Sequence, residues 1–94
     1  MVSLEYVARV AGADPVADAE VLTGCRDAAV EWYAQSGVPA DTEGALYTHW
    51  VANLAAWFFD NRGNPETNAQ IPGYIVVSVH QLRHRESAGG DAGA

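Results

Sequence analysis

Apolar residues recur at three- and four-residue steps along most of the chain, which is the spacing of helices with one buried face. A first helix is predicted over Leu4–Ala11, with Ser3 as its N-cap. A second is predicted to begin at Asp14-Pro15, where the carboxylate can cap the helix and the proline fits its first turn. Gly37 is expected to end this second helix.

The third predicted helix carries most of the aromatic residues. Asp41 or Thr42 is expected to cap it, and Asn61-Arg62-Gly63 follows its last turn. Apolar residues occupy most of its circumference, so we expect burial on several sides and some contact with another subunit. Residues at this spacing are more often core, and that alternative stays open. The candidates for the subunit interface are Tyr47, Trp50, Val51, Trp57, Phe58 and Phe59.

The last element carries conflicting signals. Its valine-rich run favours a strand, whereas Pro72 and the near-helical spacing of Ile71, Ile75, Val79 and Leu82 favour a helix. We expect a helix. The small and glycine-rich residues 86–94 predict a disordered, flexible tail. The expected fold is therefore all-α: a four-helix domain over residues 1–85 with a long central aromatic helix.

Length and charge limit the possible functions. The chain has 94 residues and a formal net charge of -7, with five arginines and no lysine. It has room for one domain, and a core this small gains from a partner subunit. A protein that grips the phosphate backbone carries a basic patch, so sequence-specific DNA binding is not expected. The first residues do not resemble a signal peptide, and no apolar run is long enough to span a membrane.

Few residues suggest catalysis or metal binding. Cys25 is the only cysteine, so no internal disulfide is expected. His80 and His84 are four residues apart and could share a metal, but nothing nearby in sequence completes the ligand set. A dyad of Cys25 and His49 has no characteristic spacing. We therefore expect no catalytic residues, metal or cofactor, and a protein that is not an enzyme.

Taken together, four segments resemble the head–tail connector family of long-tailed DNA phages and prophages. The aromatic helix is the most specific, because it ends in Trp57-Phe58-Phe59-Asp60-Asn61-Arg62, which is similar to the family's aromatic ending followed by Asn-Arg. The resemblance covers about residues 2–85 and rests on the order and spacing of all four segments. These segments are SLEYVARVAG, DAEVLTGCRDAAVEWYAQSG, ALYTHWVANLAAWFFDNRG and IPGYIVVSVHQLR.

The resemblance implies a mostly helical structural protein. Such subunits form a ring of about twelve copies beneath the portal protein. The ring extends the DNA channel and offers a platform to the tail-side completion or terminator protein. This implies a location in the neck of the virion, and in the host bacterial cytoplasm during assembly. The chain departs from the family pattern in its valine-rich last helix and its lack of lysine.

Acidic side chains gain a specific role under this resemblance. A channel should not hold DNA tightly, and like charge on its wall limits adhesion. Glu5, Asp18, Glu20 and Asp27 are the candidates for acids that face the channel, although solvated helix faces are the default explanation. The main alternative is a small helical regulatory module, similar to an antitoxin or an adaptor, that binds a protein partner and acts as a dimer.

Overall fold

The part of the chain that the structure describes forms four α-helices. The computed structural model describes residues 2–62 and 71–92, with side chains as far as residue 83. The helices are α1 (Leu4–Ala11), α2 (Ala19–Gln35), α3 (Ala45–Asp60) and α4 (Gly73–Ala92). The described residues include no strand, so the all-α prediction and the choice of a helix for the last element are confirmed. The side chains of the predicted tail, residues 86–94, lie outside this description, as does the placement of residues 93–94.

Helix α1 begins and ends as the sequence predicts. The Tyr6 N–H donates to Ser3 Oγ at 3.2 Å, which satisfies one of the free amides of the first turn. Gly12 follows the helix with φ of 70°, a left-handed conformation that glycine adopts without strain.

The start of α2 differs from the prediction. Asp14 Oδ1 accepts hydrogen bonds from Val16 N–H at 2.8 Å and Ala17 N–H at 3.2 Å, so this carboxylate does act as a cap. These bonds lower the pKa of Asp14. However, the capped residues form only a single turn, and the regular helix begins at Ala19. Asp14-Pro15 therefore starts a turn that leads into α2.

The start of α3 also differs. The Thr42 N–H donates to the Pro39 carbonyl at 3.0 Å, which closes a turn before the helix begins. The residue that precedes α3 is Gly44, with φ of 112°, and no side chain caps the helix there. The prediction that Asp41 or Thr42 is the cap is therefore wrong. Both residues remain in a loop between α2 and α3.

Two polar side chains terminate α3. Asn61 Nδ2 donates to the Trp57 carbonyl at 2.9 Å, and the Arg62 guanidinium donates to the Phe59 carbonyl. Arg62 also lies 4.1 Å above the centre of the Phe59 ring. These side-chain bonds add to the backbone N–H bonds that Asn61 and Arg62 make to the same two carbonyls at the end of the helix. The Asn61-Arg62 pair that follows the aromatic residues therefore has a local structural role at the end of α3.

The core is built around α3. This helix packs against α1, α2 and α4. Its contribution to the core spans most of its circumference, which explains why its apolar pattern has no clean polar face. The buried residues of α3 are Tyr47, Val51, Ala52, Leu54, Ala55, Ala56 and Phe59.

Helix α4 joins the core through one stripe and one buried hydrogen bond. Ile75, Ser78, Val79 and Leu82 are buried and lie on one side of the helix. Ser78 Oγ donates its only hydrogen to the Ile75 carbonyl, so it can only accept in a second hydrogen bond. The Tyr33 hydroxyl lies 2.6 Å from Ser78 Oγ and is therefore the donor of that bond. It is a buried polar link between α2 and α4.

Replacement of Tyr33 by Phe tests this link. We expect a loss of about 1 kcal/mol in the free energy of unfolding near neutral pH, because one buried hydrogen bond is lost. Exposed Tyr74→Phe is the control and should change stability by less than about 0.5 kcal/mol.

The same variant has a pH signature. Burial raises the pKa of Tyr33 from 10.0 to about 12. The unfolded chain then loses this proton at lower pH than the folded chain, so wild-type stability falls as the pH rises from 10 towards 12. The advantage of wild type over Tyr33→Phe should shrink by about 1 kcal/mol between pH 8 and 11 in urea unfolding. If the stability difference between wild type and Tyr33→Phe were the same at pH 8 and pH 11, the raised pKa of Tyr33 would be contradicted.

Candidate functional site

The six candidate interface residues fall into two groups. Tyr47, Val51 and Phe59 are buried among the chain's own helices. Trp50, Trp57 and Phe58 are only partly buried and pack against the edge of the core. The chain's own core therefore accounts for the first three, and the tryptophans and Phe58 keep surface that a partner could cover.

Trp50 lies at the centre of a continuous surface that joins α3 to α4. Its Nε1 donates to Gln81 Oε1 at 3.1 Å, and its ring centre lies 6.4 Å from that of Tyr74. Val77 lies between Tyr74 and Gln81 on the same side of α4, three and four residues away from them. We call Trp50, Tyr74, Val77 and Gln81 the α3–α4 patch.

The α3–α4 patch is exposed where apolar residues are usually covered. Tyr74 is 54% exposed and Val77 is 64% exposed. Trp57 extends the apolar surface along α3, because it follows Trp50 by seven residues, or about two turns. Isolated apolar residues on a surface are ordinary, but aromatic and valine side chains on two adjoining helices are typical of an interaction site.

Sequence reasoning missed the part of this patch that α4 supplies. It identified the stripe of α4 that is buried and treated the remaining valines as a sign of ambiguity between helix and strand. Val76 and Val77 lie off that stripe and are exposed. Valine has a low helix propensity, so a valine on a helix that is not part of the buried stripe needs another explanation. Val76 and Val77 could therefore have indicated a contact surface.

A second group of exposed apolar residues lies at the connection of α1 and α2. Val10 is at the end of α1, Val16 in the turn, and Val21 in the first turn of α2. Their exposed fractions are 37%, 84% and 42%. We call these three residues the α1–α2 patch. It belongs to a different part of the sequence and different helices from the α3–α4 patch.

The four candidate channel acids are arranged unequally. Glu20 and Asp27 are exposed and lie seven residues apart on one side of α2, and Glu31 continues that line. Glu5 is exposed on α1, separate from this stripe. Asp18 is partly buried, and its Oδ2 accepts a hydrogen bond from the Asp14 N–H at 3.3 Å.

A pocket of about 410 Å³ lies beside the loop that precedes α3. The side chains that could bind a ligand there are those of Asp41, Thr42, Glu43 and Tyr47. Burial, with a smaller contribution from the nearby Asp41 carboxylate, raises the pKa of Tyr47. Sequence reasoning treated this loop only as a helix start and did not predict the pocket.

The residues considered for catalysis do not form a site in the described part of the chain. Cys25 is a buried free cysteine, and burial raises the pKa of its thiol, while the charge of Arg62 opposes this shift. His49 is exposed on α3, where Asn53 Nδ2 donates to its carbonyl at 2.7 Å. Residues 2–62 and 71–83 contain no cluster of three metal-ligating side chains. The side chain of His84 lies outside the description.

No protein-family model, curated protein or solved structure matches the chain. Within the described helices, none combines the length and the apolar character that a membrane crossing requires.

Cys25 provides a direct test of the packing between α2 and its neighbours. The thiolate is the reactive form, and burial both raises the thiol pKa and blocks access. We expect Cys25 to react with a thiol reagent such as Ellman's reagent at least about tenfold more slowly in the native chain than in urea. Equal rates in the two states, measured by absorbance at constant pH, would contradict the buried position.

Proposed function

We propose that this chain is a structural subunit of the ring that joins the head of a tailed phage or prophage to its tail. In this role it lies below the portal protein, extends the DNA channel and supports the tail-side completion protein. The proposal begins from the resemblance of residues 2–85 to the connector family. The observation that carries it is the exposed α3–α4 patch on this helical domain.

The α3–α4 patch supports assembly because it is apolar, aromatic and continuous across two helices. Aromatic side chains are enriched at the centres of protein interfaces, and they contribute much of the binding energy there. Trp50 donates a hydrogen bond to Gln81 and its ring lies beside that of Tyr74, so Trp50 has little conformational freedom left to lose on binding.

Two different apolar surfaces favour a ring. A closed ring needs each subunit to present one surface to one neighbour and a different surface to the other. The α3–α4 patch and the α1–α2 patch supply such a pair. A symmetric dimer needs only one self-complementary surface, which is the arrangement expected of the alternative, a regulatory module.

The acidic stripe on α2 suits a channel wall. Glu20, Asp27 and Glu31 project from one side of the helix, and the whole chain carries a net charge of -7. Repulsion between this stripe and DNA phosphates would let the DNA pass without adhesion. Of the candidate acids, Glu20 fits this role best, because it is exposed on α2, whereas the charge of Asp27 is offset by its salt bridge with Arg26.

The proposal predicts how the native mass depends on concentration. We expect a discrete species of about twelve subunits to appear between micromolar and millimolar protein, alone or after addition of the portal protein. A stable dimer under both conditions would instead favour the regulatory module. A monomer under both conditions would contradict the connector assignment.

Val77→Asp tests the surface itself. Val77 is exposed, so the charge should change the free energy of unfolding by less than about 0.5 kcal/mol and yet abolish the assembled species. The matched control is Val76→Asp, because Val76 is exposed on the same helix but points away from Tyr74. Assembly should survive in the control. Equal behaviour of the two variants would exclude the α3–α4 patch as the interface.

A further inference from the structure

The two apolar patches differ in the charges that surround them. Residues 45–59 and 71–83, which supply the α3–α4 patch, contain no aspartate or glutamate. In the α1–α2 patch, by contrast, Val16 lies between Asp14 and Asp18 in the sequence. Asp14 is exposed, and backbone hydrogen bonds, first that of the Val16 N–H, lower its pKa, so it is charged at neutral pH. One patch therefore has no negative charge of its own, and the other is acidic.

The α3–α4 patch carries N–H donors within it and at its edge. Trp50 Nε1 donates to Gln81 Oε1, and the other polar atom of the Gln81 amide, Nε2, is a donor. The ring centre of His49 lies 5.0 Å from that of Trp50, and exposed His80 precedes Gln81 in the sequence. An imidazole carries an N–H in either protonation state. Donors of this kind match carboxylate oxygens on a partner.

The α1–α2 patch presents its most exposed side chain on a hydrogen-bonded turn. Val16 is 84% exposed, more than any other large apolar residue in the described part of the chain. The Asp14 N–H donates to Asp18 Oδ2 at 3.3 Å, and the Asp18 N–H donates to the Asp14 carbonyl at 3.0 Å. These bonds close the turn on both sides of Val16. A turn that is already ordered loses little conformational freedom when it binds.

Only unlike patches complement each other. Two α1–α2 patches in contact would bring the Asp14 and Asp18 carboxylates of both copies together, and like charges across an interface are unfavourable. Two α3–α4 patches in contact would set N–H donors against N–H donors, with no carboxylate from residues 45–59 or 71–83 to accept them. Contact between one patch of each kind covers both sets of apolar side chains and sets donors against acceptors.

We propose that the α1–α2 patch of one copy of the chain covers the α3–α4 patch of a second copy. Val16 packs against the ring of Tyr74, and the carboxylates on either side of Val16 face the amide of Gln81. This pairing rests on the proposed function, because it takes a second copy of the chain as the partner. The contact is head-to-tail, so a copy that lacks either patch can bind only one neighbour.

Two variants that each lack one patch test the pairing. Val16→Asp keeps the α3–α4 patch, and Val77→Asp keeps the α1–α2 patch; both residues are exposed, so both variants should fold. Val16→Asp labelled with ¹⁵N is mixed with unlabelled Val77→Asp up to millimolar concentration. We expect each variant alone to be a monomer and the mixture to form a heterodimer with one copy of each. The amide resonances of Trp50 and of residues 74–81 should shift.

The control for this mixture is the unlabelled double variant Val16→Asp, Val77→Asp, which has neither patch and should cause no shifts. If Val16→Asp forms a dimer on its own, the α3–α4 patch pairs with its own copy and the proposal is overturned. The absence of a heterodimer, shifts centred outside Trp50 and residues 74–81, or equal shifts with the double variant would overturn it as well.

Gln81→Glu tests the match of charges. Added to the labelled Val16→Asp variant, it keeps an acceptor for Trp50 Nε1 but sets a carboxylate against the acidic α1–α2 patch, so the heterodimer should weaken about tenfold. Val76→Glu is the matched control, because it adds the same charge to the same helix away from Tyr74 and should leave the affinity unchanged. Equal weakening by both changes would mean that only net charge matters and would overturn the assigned contact.

The native mass of the wild-type chain separates failure of this pairing from failure of the connector assignment. If wild type forms a closed ring but the two variants form no heterodimer, the subunits pair through other surfaces and the pairing alone is overturned. If the heterodimer forms but wild type grows into chains of no fixed size, the pairing is supported and the ring is contradicted, because a head-to-tail contact closes only when its rotation does.

Discussion

The enclosure of α3 by the other three helices is the constraint on which the structure depends. Among the described helices, α3 packs most extensively against the other three, because it is apolar around most of its circumference. Tyr47, Val51, Leu54 and Phe59 fill the space between the helices. Other α3 side chains, including Trp50 and Trp57, lie where α1, α2 and α4 do not fully cover them. The same enclosure that builds the core therefore determines which part of the helix is left for a partner.

The attachment of α4 shows how a thinly packed element is held in place. One apolar stripe and the bond from Tyr33 to Ser78 fix its rotation about its own axis. With Ile75 and Leu82 turned inward, Tyr74 and Val77 necessarily lie on the outside next to Trp50. A buried polar bond of this kind contributes little net stability, but it disfavours rotations of the helix that would leave Ser78 and Tyr33 unpaired.

Periodicity predicted the first three helices, and for the last element it needed the support of Pro72 against the valine-rich run. The residue types at the helix ends predicted the cap at Ser3 and the end of α2 near Gly37. The starts of α2 and α3 were predicted too early, since Asp14 caps only one turn and the loop at Thr42 closes on Pro39 before the helix begins. Local capping chemistry does not reveal whether the turn that it caps continues as a helix.

The candidate site was only partly predictable. Sequence alone could place aromatic residues on one helix, but it could not separate Tyr47, Val51 and Phe59, which the core covers, from Trp50 and Trp57, which it does not. That division depends on where α1, α2 and α4 pack, which is tertiary information. The pocket at the α2–α3 loop was not predictable for the same reason, because residues from the loop, α3 and α4 meet only in the folded chain.

The central claim is that the α3–α4 patch becomes covered when subunits assemble. Hydroxyl-radical footprinting measures this directly, because it reports the solvent access of individual side chains in dilute and concentrated protein, with and without the portal protein. The account predicts that oxidation of Trp50 and Tyr74 slows on assembly, whereas that of Val76, which is exposed on α4 but points away from Tyr74, changes less. Unchanged oxidation of Trp50 and Tyr74 in an assembled sample would contradict it.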